Sequence, residues 1–274
     1  MIIFPNAKIN IGLRILRKRG DGYHDIESVF YPVGLTDMLE ILPSHSNLND
    51  KRAKISVSGI AAPATSENLC LKATRLLRDR LDTPEVDIYL HKNIPVESGL
   101  GGGSSDAVFT LLALNEMFSY GLKKEVLHQY ASEIGSDCPF FIYNRPCLVG
   151  GKGDIMEPLD LSLKGYYLLI VFPEASVPTP EAYKMISPSE DGLPLREILQ
   201  LKPEQWKELV VNRFEEVVFA RYPEIGQIKE LLYRSGAVYA SMSGSGSAVY
   251  GIFSGSPPLS EELKNYNIHT EALK

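Results

Sequence analysis

Residues 95–118 read PVESGLGGGSSDAVFTLLALNEMF, and the organisation of the whole chain is approached from them. Glycines at 99, 101, 102 and 103 argue against helix there, because glycine loses the most backbone entropy on ordering. Ser104, Ser105 and Asp106 then open a run with apolar residues at 108, 109, 111, 112, 114 and 118. Upstream, Val86, Ile88 and Leu90 alternate with Asp87 and Tyr89, the period of a strand leading towards Pro95. The stretch therefore predicts strand, glycine loop, helix, with the serines as the helix start. At glycines, successive backbone N–H groups can approach an oxyanion closely. A following helix adds its unpaired amides and the positive end of its dipole. Together these make a cradle for a triphosphate. A mobile surface linker is the plain alternative, but linkers seldom run straight into an apolar helix. Two other phosphate loops are excluded. No Gly-Lys-Ser or Gly-Lys-Thr string occurs, and the position five after Gly99 is Ser104 rather than glycine.

Outward from the loop, Ile9, Ile11, Leu13 and Ile15 alternate with Lys8, Asn10, Gly12 and Arg14, predicting a strand with one buried and one polar face. Gly20-Asp21-Gly22 reads as a turn into an extended stretch from Tyr23 to Val33. Apolar spacing predicts a helix over Leu69–Leu81 and another over about Lys123–Ile134, stopped by Gly135. Ser136-Asp137-Cys138-Pro139 cannot continue it, since Pro139 lacks a donor and biases Cys138 towards extended geometry. Gly150–Asp154 is a flexible turn and the candidate boundary between domains spanning 1–153 and 154–274. Beyond it we expect a strand at Tyr166–Phe172 and helices at Pro203–Phe219 and Pro223–Arg234, the second closed by Gly236. Strands at Val238–Met242 and Ala248–Phe253 flank Ser243-Gly244-Ser245-Gly246-Ser247. Helices and strands mix without a repeating rhythm, so the fold class is α+β with two domains.

At 274 residues, with 44% hydrophobic and 23% charged side chains, the chain is an ordinary globular protein by composition. Its net charge of −6 disfavours nucleic acid and anionic membrane surfaces, although a local basic pocket could still hold a phosphorylated ligand. Three cysteines, Cys70, Cys138 and Cys147, lack metal-ligand spacing and read as reduced thiols. The same holds for His45, His91, His128 and His269, which show no such spacing. The N-terminus has its apolar run broken by Pro5, Asn6, Lys8 and Asn10 with charge after it, the reverse of a secretion signal. No apolar run approaches the roughly 20 residues of a membrane span. The expectation is a soluble, cytoplasmic protein.

PNAKINIGL at 5–13, PVESGLGGGSSDA at 95–107 and SMSGSGSAVYGIF at 241–253 resemble, in that order, the three motifs of the GHMP kinases. GLGGGSSDA with GYHD at 22–25 and IGSDCPFFI at 134–142 is most similar to one branch of that superfamily. That branch phosphorylates a hydroxyl of a cytidine diphosphate-linked methylerythritol in the non-mevalonate isoprenoid pathway. The resemblance implies a two-domain GHMP-kinase-like architecture, with an N-terminal mixed-sheet nucleotide-binding domain and a C-terminal α/β sandwich domain. It implies ATP and Mg²⁺ as cofactors and a small-molecule cytidine diphosphate-linked partner. It names no metal ligands and no oligomeric state.

Residue by residue, the resemblance brings Lys8 and Asp137 to the acceptor hydroxyl, Asp137 as general base and Lys8 as its electrostatic partner. Pro95, Gly99, Leu100, Gly101, Gly102, Gly103, Ser104 and Ser105 would hold ATP, with Asn68 and Lys92 flanking the adenine. Tyr23 would stack on the cytosine and His24 meet its polar edge, with Tyr183 of VPTPEAYK as a second ring and Thr179 near it. Asn10, Gly244 and Ser245 complete the substrate residues. Taken singly, most of these have plainer readings. Lys8 would be a solvated strand lysine, Asp137 a turn residue, and the Tyr23-His24 pair ordinary packing. Ser104 and Ser105 could orient phosphate or Mg²⁺, or cap the helix, and the 243–247 loop could support the phosphates or be a tight hairpin. One departure stands out. Glu97-Ser98 occupies positions where the family has small residues, and a carboxylate there would repel a triphosphate unless turned outward or paired.

Overall fold

A computed structural model describes residues 1–44, 54–62 and 67–274, so His45 lies outside the described residues. In chain order the elements are β1 (Ile2–Ile3), β2 (Asn6–Lys18), β3 (His24–Thr36), β4 (Met38–Pro43), β5 (Lys54–Gly59), α1 (Leu69–Leu81) and β6 (Val86–Lys92). Then come α2 (Gly102–Met117), α3 (Lys124–Ile134), α4 (Cys138–Tyr143), β7 (Cys147–Gly150), β8 (Ile155–Pro158) and β9 (Tyr167–Phe172). The chain closes with α5 (Thr179–Met185), α6 (Leu195–Ile198), α7 (Phe214–Arg221), α8 (Pro223–Arg234), β10 (Tyr239–Met242), β11 (Val249–Phe253) and β12 (Asn267–Ala272). No helix among the described residues is long and apolar enough to cross a membrane.

The chain divides into two compact units, each assembled from separate stretches. The first comprises Met1–Ala7, Gly34–Val96 and Gly101–Asn144. Its sheet has the order β1-β4-β6-β5, with β5 and β6 parallel and the other pairs antiparallel. Leu39 faces Leu90 and Ile41 faces Ile88 across the β4–β6 ladder. All four side chains are buried. α2 packs on α1, α3 and α4. The second unit comprises Lys8–Val33, Glu97–Leu100 and Arg145–Lys274. It holds an antiparallel sheet β10-β11-β9-β12, covered by α8, and the sheet β2-β3-β7-β8. Its core draws Leu13, Ile15 and Ile26 together with Leu169, Val171, Phe214, Ile228, Leu232 and Val249.

The structure corrects several local expectations. β2 is buried on both faces from Ala7 through Leu13, Lys8 and Asn10 included, and is exposed only at its end, at Arg17 and Lys18. α2 begins at Gly102 rather than at the serines, and Gly101 precedes it in the left-handed region (φ +72°) with no side-chain cap. Glycine is required at 102, since a Cβ there would lie 2.8 Å from Ile94 Cγ2. Cys138 is helical, not extended. Pro139 sits in the first turn of α4, where its missing N–H forfeits no hydrogen bond. The stretch 203–219 is not one helix but a short 3₁₀ turn at Pro203–Gln205 followed by α7. Between them the chain pairs with β2, Leu13 N–H donating to the Val211 carbonyl at 2.9 Å and Arg213 N–H to the Leu13 carbonyl at 2.8 Å. Residues 151–154 form the turn of the β7–β8 hairpin.

Candidate active site

In the second unit, β2 carries Lys8 and Asn10 into a buried polar cluster. The Lys8 ammonium donates to Asn10 Oδ1 and, at 2.9 Å, to the Gly99 carbonyl, and it lies 4.4 Å from the centre of the Phe30 ring. Asn10 Nδ2 donates to Ser28 Oγ at 2.9 Å, and Tyr250 donates to the Asn10 carbonyl at 2.8 Å. A lysine only 3% exposed has given up most of its hydration. That cost is offset where it can bond several oxygens at once.

The loop between β10 and β11 closes on the same cluster. Ser243 Oγ accepts from Asn10 N–H at 3.1 Å and donates to the Gly99 carbonyl at 2.9 Å, while Ala248 N–H donates to the Ser98 carbonyl at 3.1 Å. Glycine is obligatory at one of these positions and favoured at another. Gly99 has φ +77° and a Cβ there would fall 1.9 Å from the Ser243 carbonyl oxygen. Gly244 has φ +57° and its Cβ would sit 3.2 Å from Asn10 Oδ1. The loop is thus both a hairpin connection and a wall of the cluster. Glu97 is exposed and accepts from Ser176 Oγ at 2.7 Å, the outward orientation that the sequence required of it.

Aromatic candidates gather a short way along the same unit. His24 stacks on Tyr183 with ring centres 5.3 Å apart, and Tyr183 meets the edge of Phe214 at 4.9 Å. Burial, then the charge of Lys18, holds the His24 imidazole below its ordinary value, so it is neutral near pH 7 and able both to donate and to accept. Tyr23 is 59% exposed, with the Lys152 ammonium 5.2 Å from its ring centre. Thr179, at the start of α5, shares a 2.8 Å hydrogen bond with Ser245.

In the first unit, α2 opens with a polar turn. Gly103 is exposed, and a Cβ there would meet nothing nearer than 3.7 Å. Ser105 Oγ is buried without a hydrogen-bond partner among the described residues. The serines therefore do not cap the helix, and the first amides of α2 are left without side-chain acceptors. α4 packs on α2 and begins just after Asp137, which makes no capping hydrogen bond to its own helix. Burial pushes the Cys138 thiol up to about 12, eased by a hydrogen bond with Ser104 and raised again by the Asp137 carboxylate. Ser104 at the α2 start and Asp137 at the α4 start therefore flank one thiol.

Asn68 and Lys92 stand behind this end of α2. Asn68 Oδ1 caps α1 by accepting Cys70 N–H at 2.9 Å. Lys92, 3% exposed, donates to Asp106 Oδ2 at 2.7 Å and to Asp37, whose other oxygen accepts the N–H groups of Asn93 and Ile94. Two buried carboxylates around one ammonium leave a charge in excess. Burial pushes Asp106 up to about 7, with Lys92 pulling it down and Asp37 pushing it further up. The folded chain therefore holds a proton at pH 4–7 that the unfolded chain has released. This group's stabilisation is complete below the unfolded value near 3.8 and is lost as pH rises through about 7. The loss is roughly 1.4 kcal/mol per pH unit in that window. Asp106→Asn should flatten the decline of the urea midpoint between pH 5 and 7.5, and an unchanged slope would refute this assignment.

Neither Asp37 nor Asp106 was singled out from sequence, nor were Asn212 and Glu215, whose side chains grip the β10–β11 loop. Asn212 and Glu215 do have the spacing of a helix-capping pair, a signal hidden by reading 203–219 as continuous helix. Among the described residues no group of three or more His, Cys, Asp or Glu side chains is gathered to hold a metal.

Comparison with known proteins adds a second line. A family model described as "GHMP kinases N terminal domain" matches residues 68–145, and one described as "GHMP kinases C terminal" matches residues 191–267. The 4-diphosphocytidyl-2-C-methyl-D-erythritol kinase of Parabacteroides distasonis is 48% identical over 254 residues, covering 92% of both chains. That of Bacteroides fragilis is 49% identical over 257 residues, covering 93% of this chain and 92% of its own. A crystal structure of 4-(cytidine 5'-diphospho)-2C-methyl-D-erythritol kinase superposes with a TM-score of 0.83 at 30% identity, covering 100% of this chain and 99% of that one. The Methanococcus jannaschii mevalonate kinase, at 16% identity and a TM-score of 0.69, shares the fold.

Proposed function

The chain belongs to the 4-diphosphocytidyl-2-C-methyl-D-erythritol kinase family of the GHMP kinases, and on that premise we propose that it moves the terminal phosphoryl group of ATP onto a hydroxyl of that cytidyl substrate. The products are the 2-phosphate and ADP, a step in making isoprenoid precursors. One observation carries the reading. Among the described residues, the first turn of α2 is opened by a left-handed glycine with no side-chain cap and holds a buried hydroxyl, Ser105 Oγ, without a hydrogen-bond partner. Such an end is built to receive an anion.

Phosphoryl transfer passes through a loose transition state, so positioning and charge stabilisation matter more than strong base catalysis. The amides of Gly101, Gly102 and Gly103 and the hydroxyls of Ser104 and Ser105 hold the phosphates of ATP, with Pro95, Gly99 and Leu100 shaping the loop. Asn68 and Lys92 support the adenine side from behind α2. Ser105 Oγ, without a hydrogen-bond partner among the described residues, is the oxygen that would hold Mg²⁺ beside ATP, and the metal would supply screening of the phosphate charge. Asp137 orients the acceptor hydroxyl and takes its proton late. Lys8 offsets the charge on the migrating group, and Asn10 fixes the ammonium by accepting from it. His24, as a neutral imidazole, reads the polar edge of the cytosine, Tyr23 supplies a ring face for stacking, and Tyr183, on which His24 itself stacks, supports that imidazole as the second ring. Thr179, Gly244 and Ser245 shape the wall beside them.

The test is ADP release from Mg-ATP with the cytidyl substrate, and with mevalonate, homoserine and galactose as comparators. We expect turnover with the cytidyl compound and at least about 10³-fold lower kcat/KM with the others, as for a site that loses several hydrogen bonds to a missing base. Activity on a comparator instead would keep the kinase and overturn the acceptor.

A further inference from the structure

The residues beneath the β10–β11 loop carry a further assignment, which rests on the functional reading above. Asn212, 3% exposed, lies in the short stretch that pairs with β2 at Leu13. Its Nδ2 donates to two carbonyls of the loop, Met242 at 2.8 Å and Gly244 at 2.7 Å. Its Oδ1 accepts Phe214 N–H at 3.0 Å and so opens α7. One residue later in the helix, Glu215 Oε1 accepts from Met242 N–H at 2.8 Å and Ser241 Oγ at 3.0 Å, and its other oxygen accepts from Lys229 at 2.6 Å. Phe214, between them, presses on the Tyr183 ring, and the α5 helix that bears Tyr183 returns to the loop through Thr179 and Ser245. Loop, α7 start, aromatic ring and α5 thus form a closed circuit inside one unit.

We propose that Asn212 is a positioning residue for the cytidyl substrate, clamping the loop with two donors and, through Phe214, fixing the ring of Tyr183. A loop made of glycine and serine has little conformational preference, so its shape must come from outside. A neutral amide alone among side chains supplies two donors and an acceptor at one point. Glu215 holds the strand end while Asn212 holds the turn itself. The loop and the stacking ring are then set by the same three residues, and an error in one is an error in both.

Asn212→Asp separates this from a general contribution to stability. Aspartate keeps the acceptor for Phe214 N–H and is an equally good helix opener, but it removes both donors and sets a carboxylate against two carbonyls. With both substrates varied, we expect the KM for the cytidyl compound to rise about 20-fold, the KM for ATP staying within about twofold. A merely structural role would lower the active fraction and leave both KM values unchanged; that result, or equal shifts in both, overturns the proposal. Phe214→Leu should raise the same cytidyl KM about fivefold by loss of the edge contact. If Asn212→Asp is insoluble, an unchanged KM in Phe214→Leu overturns the proposal instead. A wild type that turns over a different acceptor refutes the functional reading, and the same comparison of KM values is then made on that acceptor.

Discussion

Asp137→Asn is expected to lower kcat by about 10³-fold while leaving the fold and the affinity for ATP intact, within the usual range for removing a general base. The substitution is nearly isosteric. Asp137 is half-buried at the start of α4, and its side chain does not cap that helix. What asparagine lacks is the charge and basicity to take the acceptor proton; its Oδ1 can still accept a hydrogen bond from the hydroxyl. Single-turnover measurement with saturating ATP isolates the chemical step. A fall in kcat below tenfold would reduce Asp137 to a binding role and leave charge stabilisation by Lys8 as the main protein contribution. Lys8→Ala should show a loss of similar size, but with some loss of stability, because Asn10 and the Gly99 carbonyl would each lose a buried partner.

The glycine loop supplies a pair of substitutions with opposite signatures. Gly99→Ala should abolish both folding and activity. Its backbone lies at φ +77°, which costs an ordinary residue roughly 1–2 kcal/mol, and the new methyl would collide with the backbone of Ser243. A backbone atom cannot swing away as a side chain can. Gly103→Ala should behave differently. Its position is in the first turn of α2, where a Cβ would meet only Leu69 Cδ1, at 3.7 Å, among the described residues. Alanine there should stabilise by roughly 0.5–1 kcal/mol through helix propensity. Yet the methyl would stand where the phosphates approach the amides, and we expect the KM for ATP to rise by about tenfold or more, equivalent to one lost charge-assisted hydrogen bond. Thermal denaturation and ATP titration together read the pair. A Gly103→Ala protein that binds ATP normally would place the phosphates elsewhere than the start of α2.

Strand–loop–helix order around residue 100 could be read from the sequence because glycine, alternation and helical spacing each act locally. The start of α2 could not: glycine at 102 reads locally as a helix breaker, whereas the residue is glycine because Ile94 packs against it. β4 escaped for a different reason. Leu39 and Ile41 are buried, but Met38 and Leu42 on the other face are apolar and partly exposed, so no alternation shows. β7 and β8 are four residues each, too short for any period. In the candidate site, Lys8 and Asp137 are individually unremarkable residues that only the combined motifs pick out. At Lys8 the alternation gave a polar face, and what it could not show is that the second unit buries that face at Lys8 and Asn10. Asn212 and Asp37 act on backbone about 30 and 55 positions away along the chain, and no window over a single sequence carries that information.

The interleaving of chain segments has a consequence for how the protein is made. In the second unit, β3 pairs with β7 through Phe30 and Cys147, 117 positions apart, and the unit is completed only by β12 at Asn267–Ala272. A chain leaving the ribosome therefore carries β2 and β3, with their rows of buried isoleucine and valine, for most of its synthesis before the strands and helices that cover them exist. Pairings of such length close slowly, and uncovered strand edges are where chains stick to one another. Lys8 thus sits on a segment synthesised long before the strands that surround it, and is among the last to find its final surroundings.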